Sequence, residues 1–168
     1  MTVTSMANTS SIKSGVVAGK ILQVVSTTKT DTFATTSGSD VSITGLTATI
    51  TPISTSSKIL VFVSAPFSTS TNQINSITLT RGGTPIGGGT VAGSRTSAFR
   101  SAYTTSSNTG GMLSGEFLDS PSSTSATTYQ VQAKTSAGTL SFNISGGDSN
   151  LANHPRTAST ITLMEVAG

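Results

Sequence analysis

Cysteine and tryptophan are absent from this sequence of 168 residues, and only 9% of its residues are charged. Without cysteine, neither a disulfide framework nor a thiolate metal site can form. No apolar run approaches the ~20 residues that a membrane-spanning helix needs, so we expect no membrane partner. The nine Lys and Arg residues are scattered along the chain. Because no basic cluster lies beside aromatic residues, we expect no nucleic-acid partner either.

Catalytic and metal-binding patterns are also missing. The single histidine, His154, has no triad or ligand cluster around it in the sequence. The six carboxylates fall mostly in turns. Glu116 and Asp119 are close in sequence, but their pattern does not indicate the two acids facing each other across a cleft that glycoside hydrolysis needs. Glu165 shares a strand face with apolar residues, so it should meet a cation or lie past the rim of the core. We therefore expect no enzyme, no cofactor and no bound metal.

The composition predicts an all-β protein. Ser and Thr make up more than a third of the sequence, and the apolar residues, 34% of the chain, form short runs rich in Val and Ile. Val and Thr favour strands, whereas Ser, Gly and Asn favour turns. Amphipathic helical patterns are almost absent.

The run from 57 to 66 is predicted to be the central strand. Both of its faces are apolar, with Ile59, Val61 and Val63 on one side and Leu60 and Phe62 on the other. Such a strand should be covered on both faces. Its short length, its β-branched residues and the closing Pro66, which should end it, favour a strand over a buried helix.

Roughly ten short strands without a long helix favour an antiparallel jelly-roll-like β-sandwich over residues 20–168, since a double sheet leaves few exposed edges. Gly45 interrupts an alternating strand and predicts a bulge or turn. The glycine-rich stretch 82–89 lacks the ending of a phosphate-binding loop and indicates a turn. The alternating runs 129–134 and 140–145 are predicted to form a hairpin.

Residues 1–19 are predicted to be a short extended N-terminal arm. They are rich in Thr, Ser and Asn, with a small apolar patch at Val16 and Val17. Either they are a flexible leader, or they become ordered by docking on a partner through that patch. We also predict a homotrimer, because one sandwich need not bury every apolar strand face. The residues predicted to lie in the trimer interface are Leu60, Phe62, Met164 and Val166.

Several stretches together resemble a family of small tailed-phage virion proteins, known best from marine phages and cyanophages. They are, in order, 19–26 (GKILQVVS), 50–52 (ITP), 56–61 (SSKILV), 81–87 (RGGTPIG), 117–121 (FLDSP) and 159–166 (STITLMEV). The resemblance implies a trimeric jelly-roll module used as a fibre tip or a head decoration. It brings no catalytic motif.

Two functions follow from this resemblance, both on the outer surface of the virion. The first is a capsid decoration or cement protein whose N-terminal arm grips the major capsid protein. It is favoured because the sequence is small and shows no fibre shaft. The second is a tail-fibre or receptor-binding module that joins other tail proteins and contacts host surface glycans. The predicted contacts of that module lie in exposed loops and strand ends: Tyr103, Asn108, His154 and Arg156.

Overall fold

The computed structural model describes residues 12–13, 16–146 and 148–168. Among these residues every regular element is a β-strand. The strands are β1 (Ile12–Lys13), β2 (Val16–Val17), β3 (Ile21–Lys29), β4 (Phe33–Thr35), β5 (Val41–Ile50), β6 (Lys58–Thr69), β7 (Gln73–Arg81), β8 (Thr84–Ile86), β9 (Arg100–Thr104), β10 (Gly110–Asp119), β11 (Thr127–Thr135), β12 (Leu140–Phe142) and β13 (Ser159–Val166).

The eight long strands form two antiparallel sheets. The first sheet has the order β3-β13-β6-β10, and the second has the order β5-β11-β7-β9. The short strands β4 and β12 extend the first sheet, and β8 extends the second. Because the chain crosses repeatedly from one sheet to the other in this order, the architecture is a jelly-roll β-sandwich. The predicted fold class is confirmed.

The central position predicted for β6 is confirmed. Along one edge, β10 pairs with β6 from Ile59 to Ser68. Two strands share the other edge, with β13 against residues 58–64 and β12 against residues 67–69. The first sheet is therefore built around β6.

The prediction that Pro66 ends this strand is wrong, because β6 continues to Thr69. Pro66 lies in the gap between β12 and β13, where its carbonyl accepts a hydrogen bond from the backbone N–H of Asn143 at 3.2 Å. The nitrogen and the carbonyl of a strand residue point to the same edge. The missing N–H of Pro66 therefore faces the gap and interrupts no ladder.

Asn143 closes this gap from within. It is fully buried and has a φ of 64°, in the left-handed region that Asn tolerates better than most residues. Its side-chain amide donates to the carbonyls of Lys29 at 3.0 Å and Asp31 at 2.8 Å. Its side-chain oxygen accepts from the Ser159 hydroxyl at 2.7 Å. One residue thus ties the end of β3 and the start of β13 to the end of β12.

The hydrophobic core lies between the two sheets. Val61 from β6, Leu163 from β13 and Val131 from β11 are each fully buried. Burying one such side chain contributes about 1.5–3 kcal/mol. Inward-facing residues of the first sheet include Ile59, Val61, Val63, Ile161 and Leu163, and those of the second include Ile43, Leu79, Tyr129 and Val131. The inward face predicted for the central strand is confirmed.

The predicted hairpin of 129–134 with 140–145 is wrong. β11 pairs with β5 and β7 in the second sheet, whereas β12 pairs with β4 and β6 in the first. The connection crosses the end of the sandwich, where the backbone N–H of Thr139 donates to the Ser70 hydroxyl at 2.8 Å. Both strands alternate because each faces the same core, from opposite sides.

Glycine permits two of the predicted irregularities. Gly45 has a φ of 83° in the middle of β5, and the register with β11 shifts opposite it, which confirms the predicted bulge. Gly82 and Gly83 have φ values of 54° and 85° and form the two-residue connection between β7 and β8. Positive φ at both positions is typical of a type I′ hairpin turn, so the glycine-rich stretch does begin with a turn.

The residues just before β3 are hydrogen-bonded to the residue just after β13. The Gly19 N–H donates to the Ala167 carbonyl, and the Ala167 N–H donates to the Lys20 carbonyl, both at 2.8 Å. Before this point, β1 and β2 pair with each other, Ile12 opposite Val17 and Lys13 opposite Val16. The rest of the predicted arm, 1–11 and 14–15, lies outside the described residues. Docking by the arm stays a prediction.

Candidate interaction surface

The outer face of the first sheet carries a row of apolar side chains that runs across all four strands. Residues directly opposite each other in a sheet share a face. Met164 is opposite Val24 on one side and Leu60 on the other, and Leu60 is opposite Leu118. The row Val24–Met164–Leu60–Leu118 therefore crosses β3, β13, β6 and β10 at one level, about 14 Å from the first strand to the last.

Further apolar residues flank this row on both sides. Phe62 lies two residues along β6, and the opposed pair Ile21 and Val166 lies at the other side. Several of these side chains are well exposed, among them Val24 at 54%, Leu118 at 47% and Phe62 at 40%. We call this surface the apolar face, made up of Ile21, Val24, Leu60, Phe62, Leu118, Met164 and Val166.

The apolar face contains all four residues predicted to form a trimer interface. Leu60, Met164 and Val166 are half-buried, and Phe62 is exposed. The expectation that both faces of β6 are covered is thus met on one side only within the described chain. That another copy of the chain covers the other side, as the predicted trimer requires, stays a prediction.

Two charged residues stand at opposite ends of the apolar face. Lys58 is opposite Val166, and Glu116 is opposite Phe62. Both are exposed, and neither has an ion-pair partner in the described part of the chain. They are four residues apart along the strands and one strand apart across the sheet, about 14 Å, which is too far for them to pair within one chain.

Arg100 covers the free edge of β10 next to Glu116. Its Nε donates to the Ser114 carbonyl at 3.1 Å, and its Nη1 donates to the Phe99 carbonyl at 2.7 Å. The guanidinium lies 4.3 Å from the ring centre of Phe99, a cation–π distance. A side chain at Gly115 would overlap the guanidinium. Arg100 thereby joins β9 of the second sheet to the edge of the first, and it lines an open depression together with Phe62 and Glu116.

The predicted receptor-contacting residues do not form one compact site. Tyr103 is 65% exposed on β9, opposite the exposed Ile74 of β7. Asn108 lies in the turn between β9 and β10, with a φ of 55°. Its backbone lies against Gly146, so this turn contacts the connection between β12 and β13.

His154 and Arg156 lie further along that connection, as predicted for an exposed loop. The Nδ1 of His154 accepts from the Ser149 backbone N–H at 3.2 Å, and Arg156 pairs with Asp148 at 2.6 Å. Both contacts are local and serve to shape the loop.

Asp119 forms a buried charged cluster at one end of the core. Arg81 Nη1 donates to its two carboxylate oxygens at 2.8 and 2.9 Å, and the Tyr129 hydroxyl donates to it at 2.6 Å. Burial, together with the hydrogen bond and charge of Asp119, raises the pKa of Tyr129 well above its ordinary value. The cluster fixes β10 of the first sheet to β7 and β11 of the second.

Glu165 is fully buried, and the prediction that it meets a cation or lies past the core rim is wrong. The side-chain amide of Gln23 donates to one carboxylate oxygen at 2.6 Å, and the Ile53 backbone N–H donates to the other at 2.7 Å. Burial raises the pKa of Glu165, but these donors outweigh it and hold the pKa below its ordinary value. Glu165 thus anchors the connection between β5 and β6 with neutral donors.

The arrangement of carboxylates does not resemble a hydrolytic site. Glu116 and Asp119 are three residues apart on one strand, so Glu116 faces outward and Asp119 faces the core. Within the described ranges, no group of three or more His, Cys, Asp or Glu side chains could hold a metal ion. The same residues contain no helix long and apolar enough to span a membrane.

Part of the apolar face could not be predicted from the sequence. Val24 and Leu118 belong to it because β3 and β10 lie where they do, in register with Met164 and Leu60. The alternation of each strand shows which residues share a face, but it does not show which strands are neighbours. The signal is present only once the strand order is known.

No protein-family model matches this chain, and no curated protein matches it. Among solved structures, it is similar to a structure of the infectious bursal disease virus Gx strain, with a TM-score of 0.46 and 16% identity over 90% of this chain and 43% of that chain. T=1 particles derived from the same virus give a TM-score of 0.43 and 18% identity over 90% and 37%. The VP2 subviral particle gives 0.40 and 17% over 90% and 38%. This chain spans less than half of those chains, and similarity at this level assigns no function.

Proposed function

We propose that this protein is a non-enzymatic structural protein of a virus particle, a trimeric decoration or cement protein on the outer surface of a phage head. The observation that carries the proposal is the apolar face on a jelly-roll sandwich whose remaining surface is rich in Ser and Thr. Contiguous exposed apolar surface of this kind marks a site of protein association. A buried core and an uncovered sheet face suit a protein whose role is assembly.

Anchoring to the shell is assigned to the N-terminal arm. In this proposal Val16 and Val17 contact the major capsid protein, and the backbone of the arm adds hydrogen bonds to an exposed strand edge of that partner. Ordering such a segment costs about 1–2 kcal/mol per residue, so a partner must offset the cost. The sandwich itself starts at Gly19 and Lys20, which bond to Ala167, so we expect it to fold without the arm.

A receptor-binding module of a tail is the second candidate. It is favoured by Tyr103 and Ile74, which form an exposed pair on the outer face of the second sheet. The ring of Tyr103 has an apolar body and a polar hydroxyl, which suit contact with a sugar. Asn108, in the turn after β9, would add hydrogen-bonding groups from a separate position. The same fold could then present these groups to host surface glycans.

Labelled particles distinguish the two candidates. Gold-conjugated antibody against this protein, imaged on purified virions, should decorate the head all round its surface. Labelling confined to the distal end of the tail would support the receptor-binding module instead. Absence of label from intact and from disrupted particles would refute both.

Deleting residues 1–18 tests the arm. The truncated protein should purify as a folded trimer with the circular dichroism of the full chain, yet it should fail to bind particles that lack the native protein. Truncated protein that decorates those particles at normal occupancy would refute the anchoring role and indicate that the sandwich itself attaches.

A further inference from the structure

We infer that copies of this chain associate through the apolar face in a head-to-tail manner, so that the Lys58 end of one copy meets the Glu116 end of the next. The inference adds a contact surface and a register to the proposed trimer, and it rests on that proposal for the number of copies and for the head-to-tail arrangement.

The apolar face is continuous enough to require a covering partner. Val24, Leu60 and Leu118 lie in one row across the sheet, on strands whose opposite faces already fill the core. Exposed apolar side chains scattered singly are ordinary, but a row continuous over four strands is not. Beside the row, the same face also carries small hydroxyl side chains, such as Ser26 and Thr162, which bond to each other at 2.8 Å.

The charges at its two ends identify the occupant of the apolar face as another copy of this chain. Lys58 and Glu116 carry opposite charge and border the apolar face at opposite ends. Neither has an ion-pair partner among the residues that the structure describes. A partner with a positive group at one end and a negative group at the other would satisfy both, and this chain is itself such a partner. Complementary charges of this kind fix the register of an interface more than they add affinity.

The two ends of the apolar face carry different residues, and this determines the symmetry of the contact. A contact that joins two different ends of the same face is heterologous, and repeated heterologous contacts close into a ring when the rotation permits. Three copies closed in this way satisfy every Lys58 and every Glu116. A face-to-face pair with two-fold symmetry would also place each Lys58 against Glu116 of the other copy, but it would end at two copies, so it is the proposed trimer that selects the head-to-tail arrangement.

The absence of cysteine makes a direct test possible. In the double variant Lys58→Cys with Glu116→Cys, the two positions are about 14 Å apart within one chain, too far for a disulfide, which needs Cα atoms closer than about 7 Å. Any bond between the two new thiols must therefore join different copies. Mild oxidation should give linked dimers and trimers on a non-reducing gel, and reduction should return the monomer.

Two controls make the outcome specific. Val91→Cys, exposed in the loop before β9, paired with Glu116→Cys should give no ladder of linked species. Linked dimers that never extend to trimers would overturn the head-to-tail arrangement. Oxidation that yields only monomer from a protein that light scattering shows to be assembled would place the contact on another surface.

An aspartate at Leu118 tests the apolar row itself. Leu118 is about as exposed as Ile74, which lies on a strand of the second sheet, so Ile74→Asp is a matched control. Leu118→Asp should be folded and monomeric by light scattering, whereas Ile74→Asp should remain assembled. Equal assembly of both variants, or a wild-type protein that is monomeric at micromolar concentration, would overturn the inference. Neither result depends on where in a particle the protein resides, which the gold labelling tests separately.

Discussion

Replacing Asp119 by alanine should destabilise the sandwich strongly, because its carboxylate accepts three hydrogen bonds from two side chains. Asp119 is almost fully buried, and it accepts hydrogen bonds from Arg81 at 2.8 and 2.9 Å and from Tyr129 at 2.6 Å. Removing it leaves the hydroxyl of a fully buried tyrosine without its partner. A lost charged hydrogen bond costs about 1.5–3 kcal/mol, and a buried unpaired group costs about 1–3 kcal/mol more. We expect a loss of about 3–5 kcal/mol.

Tyr129→Phe is the companion change, since it removes the hydroxyl but keeps the ring and leaves Asp119 paired with Arg81. It should cost about 1.5–3 kcal/mol, the value of one hydrogen bond to a charged group. In the double variant the hydroxyl and the carboxylate are both gone, so no buried hydroxyl is left unpaired. The double variant should therefore lose clearly less than the sum of the two single variants.

Urea unfolding of the four proteins, followed by circular dichroism, measures this coupling. The expected interaction energy is about 1–3 kcal/mol. Two single losses that add to within about 0.5 kcal/mol would show that Asp119 and Tyr129 do not interact in solution, and the account of this cluster would be wrong.

Three further predictions concern the core, the buried acid and the sheet edge. Val61→Asp places a carboxylate in the core and should abolish folding, since the cost is comparable to the ~5–15 kcal/mol stability of a domain; soluble protein with an unchanged melting curve would contradict this. Glu165 has a lowered pKa, so its stabilisation is complete above its unfolded pKa of about 4.3 and is lost as the pH falls through the lower folded value. Acid titration of stability should therefore be steeper in the wild type than in Glu165→Gln, and identical slopes would rule out this role. Gly115→Ala should push Arg100 off the edge of β10 and cost about 1–3 kcal/mol by thermal melting, whereas Gly89→Ala, where a new Cβ meets nothing within 4 Å, should have little effect.

The sequence was most informative where alternation and burial coincide. The apolar run around Val61 predicted the central strand, and the glycines at Gly45 and Gly82 predicted a bulge and a turn. These features depend on local chemistry, namely the period of a strand and the freedom of glycine at positive φ.

Features that depend on strand neighbours could not be predicted in this way. Pro66 does not end β6, because β12 and β13 happen to leave a gap beside it. The strand after Gly138 joins the other sheet, although alternation alone suggests a hairpin. Glu165 is buried with Gln23, a partner 142 residues away in the chain. Each of these outcomes is set by tertiary pairing, on which local pattern carries no information.

The apolar face likewise contains residues that the sequence predicted and residues that only the strand order reveals. Leu60, Phe62, Met164 and Val166 were identified because their strands have two apolar faces. Val24 joins them only through the register of β3 with β13. The sequence thus indicated that a second face needs covering, and the fold shows how far that face extends.

If this protein is a structural component of a virus particle, as we propose, it must be abundant in purified virions. Quantitative mass spectrometry with labelled reference peptides gives its copy number relative to the major capsid protein. A decoration or cement protein should be present at an abundance of the same order as the major capsid protein, and it should remain bound through density-gradient purification. A copy number that is a small fraction of that abundance would indicate the tail, and absence from purified particles would contradict the claim.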